Sequence, residues 1–134
     1  MLKGGNGHIV MMSSAAGFAG LPNAASYAAT KAALLALSGS LRLEFRSRGV
    51  SASAVVPGFV HGAGMYEDQK LDTNGISSPS MLGHTTPDHV AEAVLRAIRD
   101  DRPELIVNTM PMRLPLALGR LFPGFGLWLV GRSS

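Results

Sequence analysis

Tyr27 and Lys31 place a phenol and an ammonium four residues apart, and Ser14 adds a hydroxyl thirteen residues before the tyrosine. On a helix, side chains four apart share one face, so the two groups would stand side by side. An ammonium beside a phenol favours the phenolate, which is what a tyrosine needs to exchange a proton near neutral pH. Ser14 ends an apolar run, and a strand there would deliver its hydroxyl to the same place. The competing reading is plainer: Ser14 closes a turn, and Tyr27 and Lys31 flank a core helix.

Those groups need elements to hold them. Residues 3–7, Lys-Gly-Gly-Asn-Gly, are turn chemistry, and the apolar run 8–12 reads as a buried strand. Asn23 is placed to cap a helix over roughly 24–48 that stops at Gly49. Between positions 24 and 37 that helix is small or apolar almost throughout, so it is expected to bury more than one side. One side would lie on a sheet. The other, with Leu34, Leu37, Leu41 and Phe45, would meet either the rest of the chain or a second copy. Residues 50–56 read as a second strand that breaks at Pro57-Gly58. The stretch 59–86 is rich in Gly, Ser, Pro and Asn, a loop long enough to be functional or disordered. Thr86 caps and Pro87 opens a one-faced helix over 89–100, and 104–107 is a third strand. Strands alternating with helices predict an α/β fold with a parallel sheet. The domain is expected over 1–109, followed by an apolar tail over 110–134. That tail is interrupted by Arg120 and Pro123-Gly124 and is too broken to span a bilayer. It would pack on the domain or a partner, or lie weakly on a membrane surface over 113–132.

Composition narrows the function classes. The formal charge of +3 comes from arginines spread along the chain with few aromatics, a poor match to a nucleic-acid surface. There is no cysteine, which excludes disulfides and thiolate metal sites and fits a reducing cytoplasm. His8, His61, His84 and His89 lack ligand-like spacing with carboxylates, and residues 1–20 contain no secretory signal.

Residues 8–60 resemble the catalytic half of the short-chain dehydrogenase/reductase family. The likeness is carried by Gly7-His8-Ile9-Val10 leading to Ser13-Ser14-Ala15-Ala16-Gly17, by Gly20-Leu21-Pro22, by Tyr27-Ala28-Ala29-Thr30-Lys31, and by Pro57-Gly58-Phe59-Val60 after the second strand. The resemblance implies the carboxyl-terminal part of a Rossmann-like, doubly wound parallel sheet of three strands with flanking helices, lacking the amino-terminal half. It implies an NAD- or NADP-dependent oxidoreductase that interconverts an alcohol and a ketone or aldehyde. Tyr27 would be the general acid/base. Lys31 would assist it and bind the nicotinamide ribose, and Ser14, rather than Ser13, would hold the carbonyl. Tyr27, Lys31, Pro57, Gly58 and Val60 would contact the cofactor, His61 would touch substrate, and 62–83 would form a substrate lid. Helix 24–48 would join copies in a homo-oligomer. Where relatives often carry a threonine, this chain has Gly62. The family's glycine-rich phosphate loop follows a strand, whereas the glycines at 4–7 precede one. Met1 therefore resembles an internal methionine, the strand at 8–12 is expected at an open sheet edge prone to self-association, and weak cofactor binding is expected. The alternative is a truncated, non-catalytic remnant acting only through self-association or membrane-surface contact.

Overall fold

A computed structural model describes residues 1–20, 22–62, 83–124 and 127–128. Its centre is a parallel three-stranded sheet in the order β1 (Gly7–Met12), β2 (Val50–Pro57), β5 (Glu104–Val107). Gly7 pairs with Val50 and Met12 with Val55, and Ala54 to Pro57 run beside Glu104 to Val107. A short parallel pair, β3 (Phe59–Val60) with β4 (His84–Thr85), stands beyond the end of β2.

Alternation along β2 builds two cores. Val55 faces one way, with Leu105 and Val107 of β5, and meets Ala93 and Ala97 of helix α2 (Pro87–Arg99). Ala54 and Val56 face the other way and meet Leu35 of helix α1 (Ala25–Phe45), with Phe18 and Ile106 closing the edge. Helices on both faces explain why β2 is buried from Ala52 through Pro57 and reads as an unbroken run of small and apolar residues. This is a doubly wound arrangement, as expected. β1 is half-buried rather than buried, because among the described strands it pairs only with β2.

The boundaries of α1 and α2 follow short-range rules except at the start of α1. Thr86 Oγ1 accepts from His89 N at 3.4 Å and Pro87 occupies the first helical turn. α1 runs into a 3-10 turn over Arg46–Arg48 and stops at Gly49, whose φ of 76° places its α-carbon against the Gly5 carbonyl, where no Cβ fits. Asn23 does not cap α1. It adopts a left-handed φ of 59° one residue too early, and Ala24 holds the cap position without a side-chain bond. Within one chain α1 buries a single stripe, Ala28, Leu35 and Ser38. The small residues Ala29, Ala32, Ala33 and Ala36 and the side chain of Leu37 face outward, because one sheet can cover only one face of a helix.

At the amino end of the sheet, Arg42 of α1 ties both layers together. Its Nη1 donates to Ser51 Oγ (2.8 Å), Ala52 O (3.0 Å) and Asp101 Oδ1 (2.9 Å), while Nη2 donates to the Asp101 carbonyl at 2.7 Å and lies 2.9 Å from Oδ2. Asp101 also receives the Ser51 hydroxyl at 2.6 Å and Arg46 Nη2 at 3.1 Å, and it holds a left-handed φ of 49° in the turn between α2 and β5. The Ser51 hydrogen bond, then Arg42, hold its carboxyl below the usual carboxylate range against an opposing desolvation penalty.

His8 belongs to the same cluster. The Ser53 hydroxyl donates to the Arg102 carbonyl, so His8 Nε2, 2.7 Å from Ser53 Oγ, must be the donor in that contact, and Nδ1 is the bare nitrogen 3.8 Å from Asp101 Oδ1. Burial pushes the imidazole below its usual value, Asp101 opposing and Arg42 assisting. A histidine kept neutral in the fold takes up protons more readily once unfolded. Its penalty is absent above about pH 6.5 and grows as pH falls below that value. Urea midpoints compared at about pH 7.5 and about pH 5.5 should therefore show a loss at the lower pH that His8→Gln reduces. An equal loss in the variant would assign the effect elsewhere.

Candidate active site

The carboxyl ends of the parallel strands carry the candidate groups, where open α/β sheets bind ligands. β1 continues extended past Met12. Ser13 N donates to Val55 O at 2.8 Å, and Ser14 keeps φ −160° and ψ 157°, so the register continues to bring Ser14 level with Pro57. A 3-10 turn then follows over Ala15–Gly17.

The two neighbouring serines do different work. Ser13 is buried and donates its hydroxyl to the Lys31 carbonyl at 2.8 Å, stitching the end of β1 to α1. Ser14 is half-buried, and its oxygen accepts from Ala16 N at 3.3 Å as cap of the 3-10 turn. That bond uses a lone pair and leaves the O–H able to donate to a ligand oxygen. Gly17 lets this turn sit against α1. A Cβ there would lie 2.8 Å from the Lys31 carbonyl carbon and 2.9 Å from Ala32 N, backbone atoms that cannot step aside.

Tyr27 and Lys31 share the near face of α1, both half-buried, with Lys31 Nζ 5.4 Å from the centre of the phenol ring. Nζ donates to Met12 O at 3.0 Å, which aims the ammonium at the carboxyl end of β1. One of its three protons is thereby used, leaving two for a ligand. The turn carrying Ser14 and the helix carrying Tyr27 and Lys31 are therefore one packed unit.

Pro57 ends β2, buried, and Gly58 N donates to Val107 O at 3.0 Å. The room left by the missing Gly58 side chain is bordered by Asn108, whose side-chain atoms lie 3.2 Å from where a Cβ would stand. Asn108 also borders Gly83, whose φ is 67°. Asn108 is thus a site-edge residue that sequence reasoning missed; its signal is a polar side chain directly after the third strand. Val60 lies farther out in β3, half-buried and paired with Thr85. The His61 ring meets His84 edge-on, with centroids 4.9 Å apart, and Gly62 follows with φ 86°. The expected lid, apart from its end residues Gly62 and Gly83, lies outside the described residues.

A second constellation has the atoms of a nucleophilic triad, Ser53, His8 and Asp101, but not its chemistry. Ser53 is 0% exposed and its proton is committed to a backbone carbonyl, so no substrate could reach it. Among the described residues no group of three or more His, Asp or Glu could hold a metal ion. The fit to a nicotinamide nucleotide is one-sided. Lys31 has donors to spare for a ribose and Gly58 is half-buried at the end of β2, whereas Gly5 sits in a left-handed turn before β1, where no strand-to-helix phosphate cradle can form.

Comparison with known proteins agrees with this geometry. The family model for short chain dehydrogenases matches residues 1–74. Ketoacyl reductase HetN of Nostoc sp. is 37% identical over 92% of this chain, and a dehydrogenase/reductase SDR family protein 7-like of Drosophila melanogaster is 30% identical over all of it. The chain spans 43% and 42% of those relatives, less than half of each. A putative NAD(P)-dependent gluconate 5-dehydrogenase from Beutenbergia cavernae, solved with NADP, superposes with a TM-score of 0.68 at 28% identity over 81% of this chain and 47% of that one. The chain belongs to the short-chain dehydrogenase/reductase family.

Proposed function

We propose that this chain supplies the proton-handling side of an NAD(P)-dependent oxidoreductase that interconverts an alcohol with a ketone or aldehyde. The observation that carries the reading is the packed unit of Ser14, Tyr27 and Lys31 at the carboxyl edge of the sheet. The Ser14 O–H donates to the substrate oxygen and holds the carbonyl in place. The Tyr27 phenol gives that oxygen its proton in the reducing direction and takes it back in the oxidising one. Lys31, anchored by Met12 O, turns its remaining donors to a ribose hydroxyl. Pro57, Gly58 and Val60 border the nicotinamide side, and His61 stands at the substrate side. NAD or NADP supplies the hydride, and the protein supplies orientation and the proton. The cysteine-free sequence is compatible with a cytoplasmic setting.

No GxGxxG pattern is present in the sequence to cradle the diphosphate, so the purified chain should hold cofactor weakly. With NADH or NADPH and a panel of aldehydes and ketones, the expected result is a rate that rises linearly with cofactor and does not saturate in the micromolar range. Saturation at micromolar cofactor would refute the weak-binding part. A rate no higher than that of Tyr27→Phe would refute catalysis and leave the association-only reading.

The outward face of α1, small around Leu37, suits a second copy of the chain, since alanines allow two helices to approach closely. Sedimentation velocity should show self-association that Leu37→Glu abolishes. A monomer in the parent chain would exclude this interface.

A further inference from the structure

The segment after β5 departs from the charge pattern of the rest of the chain. Beyond Glu104 the sequence contains Arg113, Arg120 and Arg132 and neither aspartate nor glutamate. Its helix, α3 (Arg113–Leu121), half-buries Pro115, Leu116, Leu118 and Gly119 and turns Arg113, Leu114, Ala117, Arg120 and Leu121 to solvent. At 100° per residue the outward residues fill one continuous arc, with the two arginines along one margin and the two leucines along the other. An outward helix face on a water-soluble surface is normally polar, yet here Leu114 is 68% and Leu121 72% exposed. Phe122, Leu127 and Trp128, all more than half exposed, extend the apolar area.

Arg120 also fixes where this face stands. Its guanidinium lies 4.5 Å from the centre of the Phe18 ring, which ties α3 to the loop that follows Ser14.

We propose that the outward face of α3, with Phe122, Leu127 and Trp128, docks on an anionic lipid surface. The leucines and aromatics would enter the boundary between headgroups and acyl chains, and the arginines would meet lipid phosphates. The helix would lie in the surface plane, because among the described residues no helix is long and apolar enough to cross a membrane. Charge selects this occupant over a second copy. A two-fold contact through this face would bring arginines of both copies together with no carboxylate of the segment to pair them. The inference does not depend on catalysis, and its test reads binding alone.

Flotation of the full chain with vesicles of phosphatidylcholine alone, and of phosphatidylcholine doped with phosphatidylglycerol, tests the proposal directly. Trp128, the single tryptophan of the chain, reports insertion through its emission. The expected result is co-flotation with the doped vesicles, a blue shift of the emission, and release at high salt. Arg113→Glu should lower the partition at least about fivefold, and Leu114→Asp should lower it as well; both side chains point outward, so folding, read by circular dichroism, should not change. Equal binding to both vesicle types, or binding to neither, overturns the proposal. So does a self-associated species in lipid-free gel filtration that Leu114→Asp dissolves, which would make this face a contact between copies.

Discussion

Tyr27→Phe should lower turnover by about a hundredfold to ten-thousandfold while leaving cofactor affinity almost unchanged. The substitution removes one hydroxyl from a half-buried ring and leaves the Lys31 ammonium with its anchor on Met12 O. The ring face beside Lys31 Nζ also stays, so the local packing has no reason to change. What disappears is the proton that the substrate oxygen must gain or lose. A general acid that acts only in the chemical step shows its loss in kcat, and binding measured by titration stays level. Because the chain is expected to hold cofactor weakly, the check is a paired measurement, on parent and variant, of the slope of rate against NADPH and of NADPH binding at millimolar concentration. Retained turnover would remove Tyr27 from its assigned role. An equal loss in Lys31→Met with weaker cofactor binding would support the second duty of the lysine. Ser14→Ala should fall between these, because it removes an orienting donor and leaves the proton source in place. Its effect on the fold should be small, since Ser13 and not Ser14 bonds to the Lys31 carbonyl.

The second large effect is expected on stability at the opposite end of the sheet. Arg42→Ala should cost about 3 kcal/mol, seen as a lower urea midpoint with little change in slope. The guanidinium side chain is only 11% exposed and spans Ser51, the Ala52 carbonyl and both the carboxylate and carbonyl of Asp101. Its removal leaves acceptors facing a space that water must fill. The Asp101 side chain is 38% exposed and can rehydrate, which keeps the cost at the lower end for a broken ion pair. Arg42→Lys should recover only part of it, because one ammonium cannot reach acceptors spread around a planar fork. A loss below about 1 kcal/mol in Arg42→Ala would show the cluster to be a surface network of little consequence. Acid should act on the same cluster. The Asp101 carboxylate contributes fully above about pH 4 and loses its contribution as pH falls through its lowered folded value.

Much of this molecule was legible in its residue order, for a physical reason that differs from element to element. The strands at 7–12, 50–57 and 104–107 and the helix begun by Thr86-Pro87 follow from alternation, apolar runs and capping, which act over a few residues. The Tyr27–Lys31 proximity was legible because helical spacing alone produces it. Asn23 shows the limit of such rules. Asparagine both caps helices and tolerates a left-handed backbone, and the turn before α1 used the second property. The apolar run at 8–12 suggested a buried strand, but burial depends on neighbours, and β1 has one strand neighbour among the described residues.

Everything that joins distant parts of the chain was decided by the tertiary structure. The offset to Tyr27 favours Ser14 over Ser13 in the sequence but gives no physical reason for the difference. Only the docking of α1, which gives Ser13 the Lys31 carbonyl, leaves the Ser14 hydroxyl proton for a ligand. Gly17 reads as a loop residue until the backbone of Lys31 and Ala32 is seen where its side chain would be. Asn108 borders Gly58 across fifty residues, and Arg42 finds Asp101 across fifty-nine. A residue sequence determines by itself what short-range sterics and hydrogen bonding dictate: the elements, their caps, and the phenol-ammonium pair carried on one helix. Which partner takes the Ser13 hydroxyl, which face of a helix is covered and which charges meet are set by packing between segments, and no local spacing encodes them.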